Sequence, residues 1–105
     1  MSFLFKVGIS LLLFPLAILA EPLFVPEPLL EKALAKALRV DRDSLTSELV
    51  AAELEYFELS NAQIRDLTGL QAAKNLKVLV LRDNLIQDLF PITDLPHLRK
   101  LDLSG

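Results

Sequence analysis

The chain has 105 residues, no cysteine and a formal net charge of −3. That length holds one domain at most, and the lack of cysteine excludes disulfides, thiolate chemistry, cysteine zinc sites and a lipid-modified N-terminal cysteine. An acidic balance without a basic cluster argues against nucleic acid as a partner.

The mean hydropathy of +0.43 is raised by the first twenty residues. Lys6 is the only charge ahead of a run from Val7 to Ala20 that is rich in leucine, isoleucine and phenylalanine. This run is shorter than the roughly 20 apolar residues that cross a bilayer core, and it has the length of a signal-peptide hydrophobic region. Ala20 offers a small residue before Glu21, although Ile18 stands where alanine is commonest. Residues 1–20 are therefore expected to be a cleaved export signal, with an uncleaved anchor as the alternative. On this reading the protein is secreted, periplasmic or on the cell surface, and meets a membrane only through that signal. Without disulfides, its stability rests on packing.

Three prolines, Pro22, Pro26 and Pro28, make the start of the mature chain extended. Pro28 suits a first helical turn, where its missing N–H leaves nothing unpaired. From Leu29 to Leu38, the residues Leu30, Ala33, Leu34, Ala37 and Leu38 recur at helical spacing, with Glu31, Lys32, Lys36 and Arg39 outside that stripe. This predicts an amphipathic helix with Arg39 near its negative end. After the polar break Val40 to Ser44, Thr46 is placed to cap a second short helix, with Glu48 in its first turn and Leu49, Val50 and Leu54 apolar.

From Leu54 onward the apolar residues repeat on a fixed interval. Leu76, Leu79, Leu81, Asn84 and Ile86 set a pattern that Leu54, Phe57, Leu59 and Ile64 match 22 residues earlier, and Leu98, Leu101 and Leu103 match 22 residues later. Leu67, Leu70 and Ala73 correspond likewise to Leu89, Ile92 and Leu95. Such register marks an internal repeat. Leu79 and Leu81, two residues apart, point to one face of a short strand. Asn84 falls where the strand ends, with an amide able to donate to and accept from backbone groups left free at the turn. The three-residue spacing of Leu67, Leu70 and Ala73 predicts a 3₁₀ or short helical return. Stacked units of this kind form a solenoid with strands lining its concave face, and the first unit needs a lid, which the two upstream helices supply.

The helical cap with its Leu45-Thr46 entry to a short helix, the segment Ile64-Arg65-Asp66-Leu67-Thr68-Gly69-Leu70, and the run from Leu76 to Ile92 resemble bacterial leucine-rich repeat proteins of the internalin-like, 22-residue class. The resemblance covers residues 27–105. It implies an α/β leucine-rich repeat solenoid, with an N-terminal helical cap and about two and a half repeat units whose short parallel strands form the concave face. The expected division is residues 1–20 as signal, 21–53 as extended segment and cap, and 54–105 as repeats (54–75, 76–97 and a truncated 98–105). Two departures stand out. Ala62 occupies the first repeat's asparagine position; either a repeat against a cap does without that side chain, or Asn61 beside it substitutes. The third repeat stops at Ser104-Gly105, before its own asparagine, so the chain reads as a fragment or as a truncated product, and self-association through the open C-terminal end is an expectation.

No catalytic constellation is present. His97, the only histidine, lies in a turn beside Pro96 and Leu98 without an evident acid–base partner. Ser44, Ser47, Ser60 and Ser104 stand in no nucleophile elbow. Asp41 to Ser44 resembles the opening of a calcium loop but lacks its glycine and glutamate. Asp66 and Asp88 are placed by the repeat to bond turn amides. We read the chain as a non-enzyme without cofactor or metal. The residues on the outward side of the strands are Tyr56, Glu58 and Ser60, then Val78, Val80 and Arg82, then Lys100, Asp102 and Ser104. The resemblance implies that this face holds another protein. Tyr56, Val78 and Val80 would form an apolar centre, with Glu58, Arg82, Lys100 and Asp102 around it, the composition of an interface. The expected function is an exported protein-interaction module. The alternative is a capping segment of a longer array, with recognition or enzymatic function in sequence downstream.

Overall fold

The leucines at 22-residue intervals stack. In the computed structural model, which describes residues 22–105, three parallel strands lie in the order β1 (Tyr56–Glu58), β2 (Val78–Val80) and β3 (Lys100–Asp102). Their register sets Tyr56 against Val78 and Lys100, Phe57 against Leu79 and Leu101, and Glu58 against Val80 and Asp102. The export signal expected over residues 1–20 lies outside the described residues. The return segments run as 3₁₀ turns at Leu70–Ala72 and Phe90–Ile92, which pack on each other. This is an α/β leucine-rich repeat solenoid with a helical cap.

The core is the leucine stack itself. Leu76, Leu79 and Leu81, with Ile64, Leu67, Leu70 and Ala73, are each at most 1% exposed. Each such leucine contributes about 2 kcal/mol by leaving water. Burial fades along the stack: Leu79 is 0% exposed, whereas its register partner Leu101 is 41% exposed. Leu67 is likewise 0% exposed and its counterpart Leu89 40%. A repeat buries its leucines against both neighbours, and β3 has one.

Asn84 ties adjacent units. Its Oδ1 accepts from the Ala62 and Ile64 N–H groups at 3.0 and 3.1 Å. Its Nδ2 donates to the Leu59 carbonyl at 2.7 Å and to the Arg82 carbonyl at 3.3 Å. Three of the four bonds therefore serve the turn of the preceding repeat. This explains why Ala62 is tolerated: the first turn is completed from the second repeat. Asn61 does not take over that role. It is exposed, in the left-handed region at φ 55, and its N–H donates to the Arg82 carbonyl.

The cap comprises α1 (Pro28–Leu38) and α2 (Ser47–Glu53). Pro28 opens α1 and Arg39 ends it in a left-handed conformation. Thr46 caps α2, its Oγ1 accepting from the Leu49 N–H at 3.2 Å. The Asp41–Ser44 segment is a capped 3₁₀ turn, with Asp41 Oδ1 accepting from the Ser44 N–H. The expected amphipathic helix is present, and its buried side is narrower than its apolar stripe. Leu30, Leu34 and Ala35 are its buried residues, while Ala37 is exposed and Ala33 half-buried. Ala33 and Leu38 pack against the edge of the core, and Ala37 is the residue of the stripe that the core leaves outside. Ahead of α1, the extended segment pairs with the chain entering α2 through a Pro22–Thr46 bridge and a bond from the Leu23 N–H to the Leu45 carbonyl. It then crosses Gly69, whose φ is +113 and where a Cβ would stand 2.8 Å from Val25 Cγ2. Glu27 Oε2 finishes the docking by accepting from the Arg65 and Asp66 N–H groups at 2.7 and 3.0 Å.

Truncating Asn84 strands two N–H groups and a carbonyl in a part-buried turn. Asn84→Ala is expected to lower the unfolding free energy by about 2–4 kcal/mol, measured by urea denaturation. Asn84→Asp keeps the acceptor and loses the donor, and should fall between. A change below about 0.5 kcal/mol, the size of an ordinary surface substitution, would remove Asn84 from this role.

Candidate functional site

Short strands alternate their side chains, and the inward residues are committed to the leucine stack. The outward side chains of β1, β2 and β3 are thus free to form a surface. The rows are Tyr56–Val78–Lys100 and Glu58–Val80–Asp102, with Arg82 just beyond β2. Six of the seven sequence-proposed contact residues lie in these rows, and the seventh, Arg82, lies just past the end of β2.

They are not equally available. Tyr56 is 57% exposed, Glu58, Arg82 and Lys100 are exposed, and Val78 and Asp102 are half-buried. Val80 is only 5% exposed. It stands between Glu58 and Asp102, and both neighbours are tied down. The Tyr56 hydroxyl donates to Glu58 Oε1 at 2.8 Å, and Arg82 Nε bonds Asp102 Oδ2 at 2.8 Å. The apolar part of the face that meets solvent is therefore Tyr56 with part of Val78. Ser60, next on β1's outward side, has a buried hydroxyl oxygen without a hydrogen-bond partner among the described residues.

The charges on this ladder are held in place. The bond to Glu58 is the main reason that the Tyr56 phenol lies above its ordinary value, with desolvation adding to it. Asp102 is held below the usual carboxylate range, first by the Ser104 hydroxyl, then by the Ser104 N–H and Arg82. The same device recurs on the return side. Asp66 accepts from the Thr68 hydroxyl and N–H, which lower its pKa, and Asp88 accepts from the Phe90 N–H. These aspartates close turns, as the sequence spacing suggested. His97 is exposed, beside Lys77, Pro96, Leu98 and Arg99, none of them a carboxylate. Among the described residues no helix is long and apolar enough to cross a membrane.

Sequence reasoning missed one concave feature. Leu29, Ala33 and Ala37 of α1 face the outer edge of β1 across a slot of ≈570 Å³, with Lys32 and Lys36 at its rim. The one signal for it in the sequence was Ala37, the residue of the α1 stripe that the core leaves exposed.

A family model for leucine-rich repeats, in two copies, matches residues 74–105. Among solved structures, internalin C2 of Listeria monocytogenes superimposes with a TM-score of 0.75 at 29% identity, over 82% of this chain and 39% of that one. The CBM51-2 and INT domains of Clostridium perfringens ZmpB superimpose with a TM-score of 0.70 at 32% identity, over 79% of this chain and 17% of that one. A second Listeria monocytogenes internalin, inlF, gives 0.67 at 21% identity, over 85% and 27%, a likeness of fold alone. No curated protein matches in sequence. The chain spans 39% or less of the length of these three structures.

The two depressed aspartates fix an acid limb of stability. A carboxylate whose folded pKa lies below its unfolded value of about 3.9 stabilises the fold fully above that pH, and the contribution is lost as the pH falls through the folded pKa. The urea midpoint should hold from neutrality to about pH 5 and decline below about pH 4. Asp66→Asn and Asp102→Asn should each flatten that decline; an unchanged acid limb in both variants would show that these bonds do not stabilise the fold.

Proposed function

From the premise that this chain is an internalin-like leucine-rich repeat protein, we propose that it is exported and recognises another protein through the concave ladder of its strands. Leucine-rich repeat proteins generally act as interaction modules, and this chain offers the surface for it. The observation that carries the reading is the ladder itself: an exposed tyrosine at one end, an exposed Lys100 at the other, and an Arg82–Asp102 pair beside them. An exposed tyrosine and an arginine are residue types that dominate binding energies at interfaces. The ion pair is partly exposed, with Asp102 half-buried, and a pair so placed contributes little to folding, so its arrangement is free to serve a partner's charges. Export is supported by the apolar run from Val7 to Ala20 behind Lys6 and by the internalin likeness.

A second reading has its own support. Leu101 and Leu103 are 41% and 36% exposed, and the three solved structures compared above are each much longer than this chain. On that reading this region caps a longer array, and recognition belongs to further repeats.

One comparison separates the two. The full chain and its Tyr56→Ala/Arg82→Ala/Lys100→Ala variant, each immobilised, are exposed to an envelope extract of the source organism, and retained proteins are quantified by mass spectrometry. Concave recognition predicts at least one protein held by the parent and reduced about tenfold or more in the variant, as the loss of over 1 kcal/mol at the key contacts would give. Equal retention by both, with both folded by circular dichroism, would shift the role to capping.

A further inference from the structure

We propose that the slot between α1 and the outer edge of β1 is a docking site for an extended acidic peptide, which adds to the sheet as a fourth strand. β1 pairs with β2 alone. Just past β1, the Leu59 N–H donates to the Val80 carbonyl and the Asn61 N–H to the Arg82 carbonyl, both toward β2. In a parallel ladder, alternate residues direct their backbone groups to opposite sides. The N–H and C=O groups of Tyr56 and Glu58 therefore point into the slot. An unpaired strand edge is a template for another extended chain, and a peptide lying between such an edge and a helix is a recurrent mode of recognition.

The opposite wall is made to admit a backbone. Ala33 and Ala37 occupy consecutive turns of α1 and keep that wall low, and Leu29, 53% exposed, extends it as an apolar surface. Longer side chains at the two alanines would fill the space. The slot's ≈570 Å³ falls within the range of about 300–1,000 Å³ seen for binding pockets.

Charge selects the occupant. Lys32 and Lys36 line the slot one helical turn apart and are exposed. Neither is in an ion pair among the described residues. A helical turn advances about 5.4 Å, close to the roughly 6.6 Å between alternate side chains of a strand. An extended peptide with acidic residues at alternate positions matches that pair of lysines. A basic one sets like charges against both. Glu58 is the carboxylate on the strand side, and its Oε1 is already engaged by the Tyr56 hydroxyl.

The test is fluorescence anisotropy of the full chain with labelled five-residue peptides. One alternates glutamate and valine, a second alternates lysine and valine, and a third repeats the acidic peptide with proline at its centre, removing a backbone donor. Saturable binding of the acidic peptide alone is expected. It should weaken tenfold or more in Lys32→Glu/Lys36→Glu and in Ala37→Trp, substitutions at exposed positions that leave the core untouched. It should persist in Arg82→Ala/Lys100→Ala, which alters the concave ladder and not the slot, so this result stands or falls apart from the concave reading. Equal binding of the basic or proline peptide, no saturation at millimolar concentration, or full affinity in the Ala37→Trp variant would overturn the proposal.

Discussion

The architecture depends on one side chain that works for its neighbour. Asn84 belongs to the second repeat, yet the groups it satisfies at Leu59, Ala62 and Ile64 belong to the first. A turn that leaves N–H groups without internal partners is costly when shielded from water, so the first repeat is complete only with the second beside it. The leucines obey the same rule. Phe57 and Leu79, with neighbours on both sides, are 2% and 0% exposed, and Leu101 is 41% exposed. Hydrogen bonding and apolar burial thus impose a single requirement, that units be added side by side. At the other end the cap meets that requirement by different means: Thr46 caps α2, Glu27 bonds the Arg65 and Asp66 amides, and the extended segment lies over Gly69.

The repeat was legible because its signal is periodic. The 22-residue spacing placed all three strands and their register, the returns as 3₁₀ or short helical turns, and the turn-closing roles of Asp66 and Asp88. The helix starts at Pro28 and Thr46 were legible from the chemistry of those two residues. What escaped has no period. Glu27 reaches amides 38 and 39 residues away, and nothing local distinguishes it from any other glutamate before a helix. Gly69 could be noticed but not explained until Val25 was seen to lie against it. Helical spacing outlined the apolar stripe of α1 without revealing that the core takes Leu30 and Leu34 and leaves Ala37 outside. Alternation put Val80 on the concave face, but its 5% exposure reflects the fastened side chains on both sides of it.

The surfaces open to function are those that packing does not claim. The concave ladder uses the outward half of each strand, and the slot uses the outer edge of β1 with the spare side of α1. The two surfaces meet at Tyr56 and Glu58, whose side chains belong to the ladder and whose backbone groups face the slot. Occupancy of the slot would extend the ladder by a strand, so a peptide there would alter the surface shown to a concave partner.

The most direct test of this account is native-state amide hydrogen exchange of the full chain, read at Ala62 and Ile64. If Asn84 completes the first repeat's turn, these two N–H groups open only when the stack opens, and their protection should equal that of the ladder amides of Leu59 and Leu81. Exchange at the rate of free amides, with Leu59 and Leu81 still protected, would show that the turn stands without Asn84 and would contradict the account.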